Sequence, residues 1–174
     1  MENIQNGDES VRRRRQESVS AIRGSVRELA VQLPLLNHQV GRRLGIRSVD
    51  FDCLNVIQQQ GPFGAAALSR LTGLHPATMT GVLDRLQAAG WIAREADPTD
   101  RRAVAIRALP DRLPSVLALF AGMSRSMNRI LATYGDAELE VLAGFVQQTA
   151  EAARDAATAL GTTHQRPRGA TDEG

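Results

Sequence analysis

Residues 65–108 read AAALSRLTGLHPATMTGVLDRLQAAGWIAREADPTDRRAVAIRA, and the fold is decided here. A short helix is expected over Ala65–Leu71, with Ala67, Leu68 and Leu71 on its inner face. Thr72–Gly73–Leu74–His75 makes a tight turn. Pro76 then suits the first position of a helix, where its missing N–H costs nothing. The second helix runs to Ala89 and stops at Gly90. Its apolar residues Met79, Val82, Leu83 and Leu86 recur at helical spacing and form the buried side. Ala77, Thr78, Gly81 and Arg85 fall on the outer face, with Thr80 at the flank. Two helices of this length about a glycine turn form a helix-turn-helix. Small residues at the start of the outer face let such a helix sit deep in a major groove. There, hydroxyls reach phosphates or base edges, and an arginine reaches guanine or a phosphate.

A hairpin follows. Trp91–Glu95 and Ala103–Arg107 both alternate apolar and polar residues, as half-buried strands do. Between them Ala96–Asp97–Pro98–Thr99–Asp100–Arg101–Arg102 is rich in turn formers and carries two adjacent arginines. A hairpin directly after a recognition helix is the wing of a winged helix. An arginine at its tip suits a narrow minor groove, where negative potential is focused, and Asp100 is placed to orient one by a charge-assisted hydrogen bond. Upstream, Ser48 is expected to cap a helix with Asp50 in its first turn and the apolar stripe Cys53, Leu54, Ile57, closing at Gly61–Pro62.

Long helices flank this core. From Ser18 to Gly45 the residues Val19, Ile22, Val26, Leu29, Leu33, Leu36 and Val40 alternate at three and four, close to a heptad seam. Pro34 within it predicts a kink or short break. Val116, Phe120, Met123, Met127, Ile130 and Tyr134 form a second stripe, ended by Gly135. Leu142, Phe145, Val146, Ala152, Ala153 and Ala156 form a third, with Asp136 as the expected N-cap. The central block is too small to cover three such helices, so an intertwined dimer is expected. The chain then divides into a mobile N-terminal tail 1–17, a dimerisation helix 18–45, a winged helix-turn-helix 46–110, C-terminal dimerisation helices 111–160 and a mobile tail 161–174. The fold class is mainly α with a small β-hairpin.

Composition agrees with a globular chain and excludes several functions. Of 174 residues, 43% are apolar and 3% aromatic, which supplies a core but no aromatic platform for stacking bases. All 21 basic residues are arginine, and the formal net charge is +2. Residues 1–110 hold 15 arginines against 11 acids, whereas 111–174 hold 6 against 8, so a polyanion is expected to meet the first part. No apolar run is long enough for a membrane span, and the polar N-terminus lacks a signal peptide, so a cytoplasmic protein is expected. Cys53, on an apolar stripe, reads as a small core residue rather than a redox sensor. His38, His75, His164 and Cys53 lack ligand spacing, so neither a metal site nor any other cofactor is expected. No nucleophile motif, phosphate loop or carboxylate pair suggests an enzyme.

The stretches Gly61–Pro62, Leu68–Ser69–Arg70–Leu71–Thr72–Gly73–Leu74, Thr80–Gly81–Val82–Leu83–Asp84–Arg85–Leu86, Ala89–Gly90–Trp91 and Asp97–Pro98–Thr99–Asp100–Arg101–Arg102 resemble the MarR family, the multiple antibiotic resistance regulators. The resemblance is dense over residues 48–108; outside them it rests on helix pattern alone. It implies a homodimeric regulator of transcription, usually a repressor, on double-stranded, pseudo-palindromic operator DNA. It also implies release by a small aromatic or anionic ligand between the dimerisation and DNA-binding lobes. By position, Thr78, Thr80 and Arg85 match recognition-helix contacts, and Arg101 and Arg102 match the wing. Pro76, Ala77, Gly81 and Asp100 complete the expected DNA-facing set. His38 and Arg42, i,i+4 neighbours near the end of the first helix, are the candidates for a small aromatic acid. His75 and Gly64 depart from the family, which often has Ser or Thr caps there, and His75 is expected to be neutral or phosphate-bonded. Arg12–Arg15 is either a further phosphate grip or a solvated run. Two other functions fit the same fold: a nucleoid-type DNA binder without ligand response, and a winged-helix module that docks a protein.

Overall fold

The computed structural model describes residues 2–96 and 103–163, with side chains from residue 9 to residue 161 among them. In chain order the elements are α1 (Glu2–Leu44), α2 (Ser48–Gln60), α3 (Ala65–Thr72), α4 (Pro76–Ala88), β1 (Ile92–Ala96), β2 (Val104–Ala108), a 3-10 turn (Pro110–Arg112), α5 (Leu113–Leu131) and α6 (Asp136–Thr163). The fold is thus mainly helical with a two-stranded wing. The chain divides into two compact units, Met1–Phe51 and Asp52–Gly174.

In the first unit α1 departs from the sequence reading twice. It begins at Glu2 rather than Ser18, so residues 2–17 are helical rather than a separate tail. It also runs through Pro34 without a break, because proline deletes one hydrogen bond and long helical flanks hold the turn on either side. At its C-terminus Ile46 N–H reaches Gly41 O at 2.8 Å and Gly45 N–H reaches Arg42 O at 3.2 Å. This pair of bonds satisfies the last carbonyls and needs the left-handed φ of +69° that Gly45 adopts. The chain folds back tightly there: a Cβ on Gly41 would lie 3.2 Å from Ile46 O and 3.4 Å from Phe51 Cβ. Ser48 does not cap α2. Arg47 O accepts the first helical bond, from Phe51 N–H, while the Ser48 hydroxyl pairs with His38 Nδ1. A side chain within bonding reach of the preceding helix outcompetes its own cap.

In the second unit Cys53, Leu54 and Ile57 of α2 are buried with Leu68, Met79, Val82, Leu83, Leu86, Trp91, Ile92 and Ile106. The inner face of α3 differs from expectation: Leu71 is exposed and Ser69 is buried, because α3 turns Leu68 and Ser69 inward. β1 and β2 are antiparallel, with Ile92 opposite Ala108, Arg94 opposite Ile106 and Ala96 opposite Val104. Both begin one residue later than the alternation predicts. Phe63 adds a short third rung, its N–H and C=O exchanging bonds with Ile106 at 3.1 and 2.7 Å. Packing of α3 on β2 and α4 on β1 fixes the hairpin to the helices. It buries Ala105 and Ile106 in succession, where strict alternation would expose one of them.

α5 and α6 carry the expected stripes, but in the single chain these are largely uncovered. Val116 is buried, whereas Met127, Ile130, Tyr134, Phe145 and Val146 are exposed. The N-cap of α6 is Gly135 rather than Asp136. Gly135 N–H donates to Glu138 Oε2 at 2.9 Å, the returning half of a capping box.

Candidate nucleic-acid interface

The helix-turn-helix presents α4 as the sequence reading requires. Thr72 Oγ1 donates to Leu68 O at 2.8 Å and closes the end of α3, and Gly73 supplies the left-handed turn at φ +70°. Met79, Val82, Leu83 and Leu86 are at most 1% exposed, which leaves Pro76, Ala77, Thr78 and Thr80 outward, with Gly81 and Arg85 half-buried. Four anchored apolar side chains on one side fix the rotation of the helix about its axis, and so fix which residues a groove would meet.

The N-terminus of α4 is capped by His75. Its Nδ1 accepts the Ala77 N–H at 3.2 Å, while its carbonyl accepts Met79 N–H at 3.0 Å. The imidazole therefore does the work that Ser or Thr does at such a position. With Nδ1 accepting, the ring turns its other nitrogen, Nε2, outward as a donor. This resolves the apparent departure at His75, whereas Gly64 caps α3 with no side-chain bond.

On the outer face, Thr80 Oγ1 donates to Pro76 O at 3.1 Å. Its proton is spent inside the helix, so toward the outside Thr80 offers an acceptor, which has the polarity to pair with the exocyclic amino group of adenine or cytosine. The Arg85 guanidinium folds back along the helix: its Nη1 lies 3.2 Å from where a Gly81 Cβ would stand. Gly81 therefore leaves the room over which Arg85 lies.

The wing is tied to α4 by a side chain that the sequence reading missed. Arg94, on β1, donates from Nη1 to Gln87 Oε1 and from Nη2 to Asp84 Oδ1, both at 2.7 Å. A guanidinium with two acceptors one turn apart on a helix sets the strand's direction as well as its distance. The signal was present as Asp84 and Gln87 at i,i+3, but which arginine would reach them depends on the hairpin's position. Arg112 holds the corner behind: it donates to Ala89 O at 3.3 Å and lies 5.1 Å from the Trp91 ring centroid. Glu95 and Arg107 pair across the hairpin at 3.5 Å. The wing-tip candidates Asp100, Arg101 and Arg102 lie outside the described residues.

His38 and Arg42 share the exposed side of α1, and His38 is bonded to Ser48. Among the described residues, no group of three His, Cys, Asp or Glu side chains could hold a metal ion, and no helix is long and apolar enough to cross a membrane. Cys53 is buried at 1% exposure.

Residues 46–104 match the model of the MarR family. The HTH-type transcriptional regulator YcgE of Bacillus subtilis (strain 168) is 33% identical over 125 residues, spanning 72% of this chain and 81% of that protein. Among solved structures, transcriptional regulator Tm0710 from Thermotoga maritima superposes with a TM-score of 0.54 at 25% identity, over 73% of this chain and 89% of its own. A MarR family protein from Bacillus stearothermophilus superposes at 0.59 and 20% identity, over 78% and 95% respectively, a likeness of fold alone.

Proposed function

Because the chain belongs to the MarR family and is a DNA-binding transcriptional regulator, we propose that it works in the cytoplasm as a homodimeric repressor. It reads a pseudo-palindromic operator and leaves it when a small aromatic or anionic ligand binds. The observation that carries this reading is the outer face of α4, where Ala77, Thr78 and Thr80 are exposed and Gly81 and Arg85 are half-buried beside them. Pro76 opens the helix, Thr78 contacts a base edge or a phosphate, Thr80 accepts from a base amino group, and Arg85 reaches a guanine or a phosphate. Arg101 and Arg102, oriented by Asp100, meet the flanking minor groove, where negative potential is focused. Two α4 helices in a symmetric dimer enter successive major grooves about one helical turn apart. The exposed apolar faces of α1, α5 and α6 supply the surface that a second copy covers. His38 and Arg42 hold the carboxylate of the ligand.

Fluorescence anisotropy tests the DNA reading, with duplex from upstream of the protein's own gene against random duplex of equal length at two salt concentrations. Tight, salt-dependent binding of the upstream duplex alone is the expected result. Equal weak binding of both would favour a nucleoid-type role, and no binding at either salt would favour protein docking. Once an operator is in hand, release by salicylate-like acids from the wild type, but not from Arg42→Ala, is expected.

A further inference from the structure

The Arg12–Arg15 run, a phosphate grip or a solvated run by its sequence, lies on a helix in the structure. Residues 9–27 lie within α1 and hold six arginines against two glutamates, a local charge of +4 where the whole chain carries +2. Arg13 is turned to Glu17, with Nε 3.1 Å from Oε1. Arg12, Arg15 and Arg23 line one open groove along a single face of the helix, with Gln16, Val19 and Ser20 between them. This face continues the apolar seam. Seven residues before Val19 and Ile22, the seam positions are occupied by Arg12 and Arg15. The side that is apolar from Val19 onward is thus cationic before it, and two copies meeting seam to seam there would set arginine against arginine.

We propose that this face, carried by Arg12, Arg15 and Arg23, is a second DNA contact that grips backbone phosphates and does not read sequence. The assignment rests on the DNA-binding reading above. Duplex carries about one negative charge per 1.7 Å of axis, and guanidinium matches phosphate in charge and geometry. The partner is therefore DNA outside the base pairs that α4 reads.

The test uses the full chain with Arg12, Arg15 and Arg23 all changed to Ala, residues that keep the helix. Anisotropy is measured across a salt series on long duplexes with and without the upstream operator. Protein concentrations are chosen so that sedimentation shows variant and wild type equally associated. Each lost phosphate contact should lower the magnitude of the log–log salt slope by about 0.9, up to about 2.7 per protomer. The fall should be the same on both duplexes, so that their affinity ratio is kept. The triple Arg→Lys variant, which retains the charge, should keep the wild-type slope. An unchanged slope in the alanine variant overturns the proposal. If self-association weakens while the slope stays, the arginines serve a second copy instead. Failure of the α4 reading would show separately, as equal wild-type affinity for operator and random DNA.

Discussion

Gly81 stands on the outer face of α4 where an added methyl would meet Arg85 Nη1 at 3.2 Å. The obstacle is the end of a flexible side chain, so Gly81→Ala should fold. It should also gain about 0.5–1 kcal/mol in a thermal melt, because alanine is the better helix former. The same methyl displaces Arg85 and holds α4 away from the groove, so operator affinity should fall by about 1 kcal/mol or more. A variant that gained stability and kept its affinity would remove Gly81 and Arg85 from the interface. His75 makes a complementary case. His75→Ala should lower stability by about 1 kcal/mol through loss of the α4 cap, and His75→Ser should restore it. Equal melting of all three proteins would show that the Nδ1 bond contributes nothing. The outer face of α4 was legible because four apolar residues at helical spacing fix the opposite face. The cap at His75 was not, since imidazole is no usual cap and its rotamer alone decides whether Nδ1 points back to Ala77.

At the scale of elements, the contact between wing and recognition helix rests on Arg94 with Asp84 and Gln87. The Arg94–Asp84 pair is partly exposed, with side chains 31% and 59% accessible, so its contribution to stability is small, at most about 1 kcal/mol. Its effect on DNA binding should be larger, because the strand that it anchors leads to Arg101 and Arg102. Arg94→Ala is therefore expected to shift the denaturant midpoint little while weakening operator binding several-fold. Arg94→Lys, a single donor head that cannot span both acceptors, should resemble it. An equal loss in stability and affinity would reduce Arg94 to a packing residue. Leu71 and Phe63 mark what pattern reading could not reach at this scale. An eight-residue helix offers too few turns to separate a Leu68–Ser69 inner face from one through Leu71. A single bridging residue such as Phe63 has no periodicity at all.

For the whole molecule, the exposed apolar residues of α5 and α6 are the dominant feature. Ile130, Phe145 and Val146 are 58%, 42% and 63% exposed on otherwise regular amphipathic helices. If a second copy covers them, the melting temperature should rise with protein concentration, since association stabilises only the folded form. Phe145→Asp should then yield a slower-associating or monomeric species in sedimentation, with operator affinity lost because two α4 helices no longer act together. A concentration-independent melt in the wild type would argue against the dimer.

The sequence by itself determined the order of elements, the buried side of α4, the stripes of the long helices and the family to which the chain belongs. Each follows from periodicity or from glycine and proline at turns, and such local signals survive in one dimension. Only the tertiary structure decided that α1 starts at Glu2 and passes through Pro34, and that Ser48 serves His38 rather than its own helix. It likewise decided that Phe63 joins the wing and that Arg94 and Arg112 hold the wing to the helices. The roles of Ser48, Phe63, Arg94 and Arg112 depend on which groups distant in the chain come within bonding reach, a competition that no local pattern encodes, whereas the course of α1 follows from the helical flanks on either side of Pro34.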